Sequence, residues 1–307
     1  MIVFFVTDEG RITIRSFLET WGSALEGLFR VVPYTRSMGR REDRPGAYVF
    51  SDLERLSPGK LEAASRLWEK LERLGGATRL LNDPRKVLLR YDLLRALFER
   101  GINRFTVHRY GALDGVERYP VFLRNETDHM GNRSPLLHGR SEVRAAVKAA
   151  PRRELPRKRI LITEFVDTAD SHGVYRKYSA FRVGDRIVAR HIFYSKHWMV
   201  KNADLADPSL VEEEYGYVRG NPHRDTLKKI FDIARITYGR IDYAMAEGKP
   251  QVWEINTNPM IASDISSRIP ARHPTHVRFV REICAAFRSF DELGRDAPPG
   301  GGRLPEE

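Results

Sequence analysis

Apolar and polar positions change their period several times along the chain, and each change marks an element. "IVFFVT" near the start is an unbroken apolar run of strand length, as in a strand covered on both faces. Helical spacing follows from about Ile12 to Leu28, then the strand-like "FRVVPYT" and "AYVFS". In "LEAASRLWEKLERL", Leu61, Ala64, Leu67, Trp68 and Leu71 share one helical face. This alternation over residues 1–80 predicts a small open sheet with parallel pairing. In "LLNDPRKVLLRYDLLRALFERGI", Asn82 or Asp83 suits a helix cap, Pro84 the first turn and Gly101 the stop.

"RFTVHRY" and "RYPVFLR" are strand-like, "NETDHMGNRSPLLHG" reads as a loop, "SEVRAAVKAA" as a helix and "RILITEFVD" as a strand. "GVYRKYSAFRVGDRIVARHIFYS" alternates as two antiparallel strands around a turn at Gly184-Asp185. A helix over about 224–238 leads to "GRIDYAMAEGKPQVWEI", a second hairpin turning at Glu247-Gly248-Lys249. "HPTHVRFVREICAAFRSFDEL" closes the pattern as a helix, and "VEEEYGY" is open between an acidic helix and part of a lid. Residues 293–307 carry too little apolar content to pack and read as a disordered tail. The fold class expected is α/β with α+β lobes.

The 307 residues suffice for several layers around a core, and 41% hydrophobic with 30% charged residues is ordinary for a globular chain. No apolar run reaches membrane-span length, and "MIVFFVTDEG" lacks the flanks of a signal peptide. Cys284 is the single cysteine, so no internal disulfide forms, and a cytoplasmic location is the default expectation. A net charge of +11 favours anionic partners. The arginines are scattered and the basic run "PRRELPRKR" has no aromatic residues to stack on bases, which argues against nucleic acid.

The chemistry concentrates in "RIDYAMAEGKPQVWEINTNP". Alternation on the two strands lets Asp242, Glu254 and Asn256 share one face. Two carboxylates and an amide oxygen form a hard donor set suited to Mg²⁺, with positions left for phosphate oxygens. A glycosidase-like carboxylate pair explains neither Asn256 nor the basic residues elsewhere. His172, His191 and His197 lack zinc spacing and read as polar contacts or exposed residues.

This segment resembles the metal-binding signature of the ATP-grasp superfamily. "LLNDP", "RGINRFTV", "YPVFLR" and "ITEFVD" resemble, in order, the other landmarks of that superfamily. "FRVGDRIVAR" and "KHWMVKN" look most like the branch of ribosomal-protein glutamate ligases and lysine-biosynthesis ligases. The resemblance implies a pre-ATP-grasp domain over 1–80, an N-terminal lobe over 81–165 and a C-terminal lobe over 166–292, with ATP between two α+β lobes. It implies that Asp242, Glu254 and Asn256 hold Mg²⁺, with Mn²⁺ as an alternative ion. Thr163, Glu164, Phe165 and Val166 would form the adenine hinge, with Asp167 or Asp170 reaching the ribose. Arg90 and Arg124, where the family usually has Lys, would neutralise the triphosphate, with His129 of the flap as a further contact. The flap has only Gly131 and Gly139 in place of a Gly-rich segment. Arg190 is the first substrate-side candidate among Arg176, Lys177, Lys196 and Lys201, with Lys196 and Asn202 next. The implied activity is an ATP-dependent carboxylate–amine ligase acting through an acyl phosphate on substrates the sequence does not name. A phosphotransferase on the same scaffold and a non-catalytic nucleotide- or RNA-binding protein are the alternatives. A homodimer is one option for assembly.

Overall fold

The computed structural model describes residues 1–37, 45–153, 155–201, 204–205, 207–262 and 269–292. The expected tail over 293–307, Asn202 and the stretch 263–268 lie outside them.

The described residues form three sheets. The first runs β1 (Ile2–Val6), α1 (Arg11–Thr20), β2 (Phe29–Pro33), the single turn α2 (Tyr34–Ser37), β3 (Ala47–Phe50), α3 (Pro58–Glu72) and β4 (Arg79–Leu81). Its order is β2-β1-β3-β4, with every pairing parallel. All five residues of β1 are buried, as its unbroken apolar run requires. Helix α1 stops at Thr20, short of the expected Leu28. Trp21 N and Gly22 N both donate to Phe17 O, at 2.9 and 2.7 Å, and a glycine there favours the turn over continued helix.

The second sheet is antiparallel, β5 (Val107–Arg109), β7 (Ile160–Glu164) and β6 (Val121–Asn125) in the order β5-β7-β6, with α4 (Arg90–Glu99) and α5 (Arg140–Ala149). The third is antiparallel in the order β11-β10-β8-β9, from β8 (Tyr175–Val183), β9 (Arg186–Ser195), β10 (Tyr238–Ala246) and β11 (Lys249–Asn256). Helices α6 (Pro208–Gly220), α7 (Arg224–Ala234) and α8 (His273–Glu292) accompany it. "VEEEYGY" thus lies in a helix, capped by Asp207 Oδ1 accepting from Ser209 N and Leu210 N with Pro208 in the first turn. The first and third sheets share an apolar core that includes Phe4, Phe181, Tyr238, Phe279 and Phe287. Among the described residues no helix is long and apolar enough to cross a membrane.

"LLNDP" departs from the expected helix start. Helix α4 begins only at Arg90, and Asn82 does not cap it. Asn82 has φ 66°, and its side chain joins β3 to β10. Nδ2 donates to Phe50 O and Tyr238 O at 3.0 and 2.8 Å, and Oδ1 accepts from Thr237 N and Tyr238 N at 2.8 and 2.9 Å. Four buried backbone groups satisfied at once outweigh one helix cap.

Two register shifts in the third sheet shape everything that follows. Ser179 pairs with His191 and Ala180 with Ala189, so Arg190 is an extra residue in β9. Asp242 pairs with Glu254 and Tyr243 with Val252, so Trp253 is an extra residue in β11. Such bulges re-aim side chains away from strict alternation.

Candidate active site

A cleft of about 530 Å³ opens over the third sheet, and consecutive residues at both bulges line it: Arg190 with His191, and Trp253 with Glu254. Without the bulges, one member of each pair would point through the sheet.

Its central stretch is charged. Asp242 and Glu254 sit directly opposite each other, and Arg240 opposite Asn256, two residues along on the same face. Asp242 Oδ1 accepts from Ser179 Oγ at 2.7 Å and Arg240 Nε at 2.9 Å, and Oδ2 accepts from Arg240 Nη2 at 3.2 Å. Glu254 Oε2 accepts from Arg124 Nη2 at 2.6 Å and from Arg90 Nη2. His129 Nδ1 lies 3.4 Å from Glu254 Oε1, and its Nε2 lies 2.8 Å from Glu54 Oε1. Glu54 also accepts from Thr257 N at 3.2 Å and from Thr257 Oγ1, tying the segment after β11 to the first sheet.

Burial works against ionisation of Glu254, but Arg90, His129 and Arg124 outweigh it and hold its carboxyl well below the usual range. Burial likewise works against protonation of His129, yet Glu254 and Glu54 raise it above an ordinary histidine. Lys177 of β8 is lowered, chiefly by burial. Arg124, Arg240, Lys177 and His129 all line this stretch, an excess of positive charge over Asp242 and Glu254 that suits a polyphosphate. The donor set fits Mg²⁺, because oxygens alone are offered and each carboxylate keeps acceptor capacity beyond its arginines. Arg124 Nε is buried without a partner, a donor left over for an anion.

One end of the cleft is apolar. Phe122, Phe165, Val166, Ala244, Trp253 and Trp198 line it. Trp198 packs on Phe122 at 5.0 Å and Phe165 at 5.6 Å between ring centres, and Trp253 stacks on Phe105 at 4.7 Å. Such walls match the faces of a planar base.

The sequence-predicted residues fall into three groups. Asp242, Glu254, Arg124, His129, Phe165, Val166 and Arg190 line the cleft. Asn256, Arg90 and Thr163 are buried next to lining residues without lining it themselves. Asn256 Oδ1 accepts from Asn258 N at 2.7 Å, and Arg90 Nη1 donates to Asp128 O at 2.6 Å, holding the flap. Glu164, Asp170 and Lys196 point elsewhere. Glu164 accepts from Thr106 N at 3.0 Å and from Arg118, Asp170 pairs with Arg176 at 2.5 Å, and Lys196 Nζ donates to His172 O at 2.6 Å in an exposed position. Arg240, Trp198, Arg272, Thr275 and His276 also line the cleft and are absent from the sequence expectations. Arg240 was legible, since two residues before Asp242 on one strand means the same face. Trp198, Arg272, Thr275 and His276 come from a loop, a 3₁₀ turn and α8, whose approach no local pattern encodes.

No family model matches the sequence, and no curated protein matches it. Solved structures do. The D-alanine–D-alanine ligase of Bacillus anthracis aligns with a TM-score of 0.52 at 12% identity, over 95% of this chain and 99% of its own. The ATP-grasp ligase PsnB, complexed with precursor peptide PsnA2 and AMPPNP, aligns with a TM-score of 0.54 at 15% identity, over 94% and 97%. The D-alanine–D-alanine ligase of Coxiella burnetii gives 0.50 at 11% identity, over 96% and 97%. Across nearly its whole length, the chain has the fold of the ATP-grasp ligases.

Proposed function

We propose that the protein is an ATP- and Mg²⁺-dependent carboxylate–amine ligase. The observation that carries this is the registered pairing of Asp242 with Glu254 on the cleft face, ringed by Arg124, Arg240, Lys177 and His129. The shared fold supports it, as do solved neighbours described as complexed with ATP and, in PsnB, with Mg and ADP. On this reading residues 1–80, 81–165 and 166–292 serve as the pre-ATP-grasp domain and the two lobes that enclose the nucleotide.

Each part of the cleft then has a task. Phe122, Phe165, Val166 and Trp198 bind the base. Arg124, Lys177, Arg240 and His129 neutralise the phosphates. Asp242 and Glu254 would hold Mg²⁺ from the cleft face, and Asn256 would join them only by turning its amide oxygen from Asn258 N; the ion when bound would screen the phosphate charge and orient the terminal phosphoryl group. A substrate carboxylate oxygen attacks the γ-phosphorus and ADP leaves, forming an acyl phosphate. An amine nitrogen attacks the acyl carbon, inorganic phosphate departs, and the amine loses one proton. The fixed cations stabilise charge developing in both steps without reorganising.

Incubation with ATP, Mg²⁺ and pooled amino acids and peptides should release ADP and inorganic phosphate in equal amounts, with a new amide. If no pool of carboxylates and amines raises ADP above background, the ligase reading is lost. ADP release with a stable phosphorylated product, and no free phosphate, would make the protein a phosphotransferase.

A further inference from the structure

Ser179 of β8 is wholly buried, and two different groups of this one residue are engaged. Its Oγ donates to Asp242 Oδ1 at 2.7 Å, and Asp242 is its registered partner on β10. Its carbonyl accepts from Tyr217 Oη of α6 at 3.0 Å. The bulge at Arg190 interrupts the β8–β9 ladder directly after Ser179, so the ladder is disrupted at the point where Asp242 needs a fixed neighbour.

Tyr217 belongs to a series of polar groups outside the cleft lining. Its Oη lies 3.2 Å from Tyr243 Oη, which lies 2.8 Å from Nδ1 of His223, at the start of α7. Tyr243 follows Asp242 on β10, so it points to the other face, where it joins the core of Leu227, Ile230 and Phe231.

Proton counting orders the series. A carbonyl can only accept, so the single proton of Tyr217 Oη goes to Ser179 O. Tyr217 therefore accepts from Tyr243, and Tyr243, its proton spent, accepts from His223 Nδ1. Burial lowers His223 from the ordinary histidine value, so the ring is neutral at neutral pH and its one proton is on Nδ1. Every bond points the same way, from His223 through Tyr243 and Tyr217 to Ser179, and bonds so aligned strengthen one another. Tyr178 packs in the same group, 5.4 Å from Tyr243 and 5.2 Å from Tyr217 between ring centres, but its hydroxyl makes no hydrogen bond among the described residues.

Asp242 has two kinds of partner. Arg240 holds both its oxygens, Nε to Oδ1 at 2.9 Å and Nη2 to Oδ2 at 3.2 Å, and must give way for a cation to bind there. Ser179 is neutral and takes one acceptor site of Oδ1, so it can stay while the other sites serve a cation. We infer that Ser179 is a positioning residue for Asp242, and that His223, Tyr243 and Tyr217 form a brace outside the cleft that fixes Ser179. This deepens the ligase reading and rests on it for the assignment of Asp242 as a metal ligand. The brace sets metal affinity without touching metal, nucleotide or substrate.

Mn²⁺ is the probe. Its binding to the full-length protein with AMPPNP is read from the loss of the free-ion electron paramagnetic resonance signal, and AMPPNP binding without metal is measured separately in EDTA. Asp242→Asn should abolish Mn²⁺ binding. Ser179→Ala should weaken it about tenfold, as loss of an outer-shell bond to a metal ligand does. Tyr217→Phe keeps the ring and removes the link; it should weaken Mn²⁺ about threefold and add nothing in the Ser179→Ala background, because it acts through Ser179. Tyr178→Phe should bind Mn²⁺ like wild type, and metal-free AMPPNP should bind all these variants alike. The inference is overturned if Ser179→Ala or Tyr217→Phe binds Mn²⁺ like wild type, or if their effects multiply in the double variant. It is also overturned if Tyr178→Phe weakens Mn²⁺ as much as Tyr217→Phe, or if metal-free AMPPNP weakens in step with Mn²⁺. Asp242→Asn separates the two readings. Unchanged Mn²⁺ binding in that variant sinks the metal site of the ligase reading and the brace with it. Abolished binding there, with Ser179→Ala like wild type, sinks the brace alone.

Discussion

The two polar regions of the cleft handle charge in opposite ways. Around Asp242 and Glu254 every carboxylate is already held by arginine, and Glu254 alone takes Arg90, Arg124 and His129. Around α8, among the described residues, Arg190 makes no salt bridge and feels Glu214 only at longer range, and Thr275 Oγ1 and His276 Nε2 have no hydrogen-bond partner. On the proposed reading the first region exchanges partners: polyphosphate and metal would take over from internal ion pairs, with Arg90 Nε and Arg124 Nε left open for the incoming anion. The second holds buried polar atoms that the described residues leave without partners. Exchange costs little when the ligand leaves, whereas an unfilled donor set lowers stability until it is filled.

The largest effect is expected from emptying the first region. Glu254→Ala leaves Arg90 and Arg124 buried without their anion, and removing one partner of a buried pair costs about 3–5 kcal/mol. Urea unfolding should show that loss, and ATP turnover should fall by on the order of 10³. A variant as stable as wild type would mean that the arginines find other partners, and the contrast between paired and unpaired regions would disappear.

The contrast also sets opposite pH slopes. His129, raised by Glu254 and Glu54, contributes stability that is fully present below the ordinary histidine value of about 6.5 and is lost as pH rises through its folded value. His276, pushed down to about 3, contributes stability that is present above about 6.5 and is lost as pH falls toward 3. Against wild type, the stability deficit of His129→Gln should therefore shrink on the alkaline side. That of His276→Gln should shrink on the acid side. Equal slopes in the two difference profiles would remove the electrostatic distinction between the regions.

How much of this was legible depends on whether the signal was local. The alternation of "RIDYAMA" and "VWEIN" placed Asp242, Glu254 and Asn256 on one face, and the turn at Glu247-Gly248, with φ of 50° and 75°, lets the strands pair. Apolar periodicity likewise gave β1, α3 and α8. What the sequence hid was register and approach. A bulge is a property of two strands, so nothing in "VARHIF" or "QVWEI" announces that Arg190 and Trp253 are extra. Asn82 reads as a cap because capping is a local role, while its bonds to Phe50 and Tyr238 come from the packing of distant strands. Glu54 reaches His129 and Thr257 for the same reason.

A smaller effect separates the aromatic wall from both polar regions. Trp198→Ala removes one aromatic face beside Phe122 and Phe165, and base–aromatic stacking is worth about 1–3 kcal/mol. Mg-AMPPNP should bind about tenfold more weakly, while the opposite pH slopes of His129→Gln and His276→Gln persist in the Trp198→Ala background. Loss of both responses would show that the cleft acts as one unit rather than as separable parts.

The smallest effect is expected at Lys196, the cation that the sequence ranked after Arg190 near the reaction. Its side chain is exposed and its one bond is to the carbonyl of His172, outside the cleft lining. Surface substitutions of this kind change stability by less than about 0.5 kcal/mol. Lys196→Ala should leave urea unfolding unchanged and ATP turnover within about twofold of wild type, well under the tenfold that 1.4 kcal/mol of lost transition-state binding would produce. Exposed lysine pairs weakly because water and salt already solvate its charge, whereas the charge of half-buried Arg190 is screened much less. A tenfold or larger fall in turnover for Lys196→Ala, with stability intact, would mean that the segment after β9 brings Lys196 into the cleft during the reaction. Charge pairing in the substrate-free protein would then fail to sort cations that act from cations that only solvate.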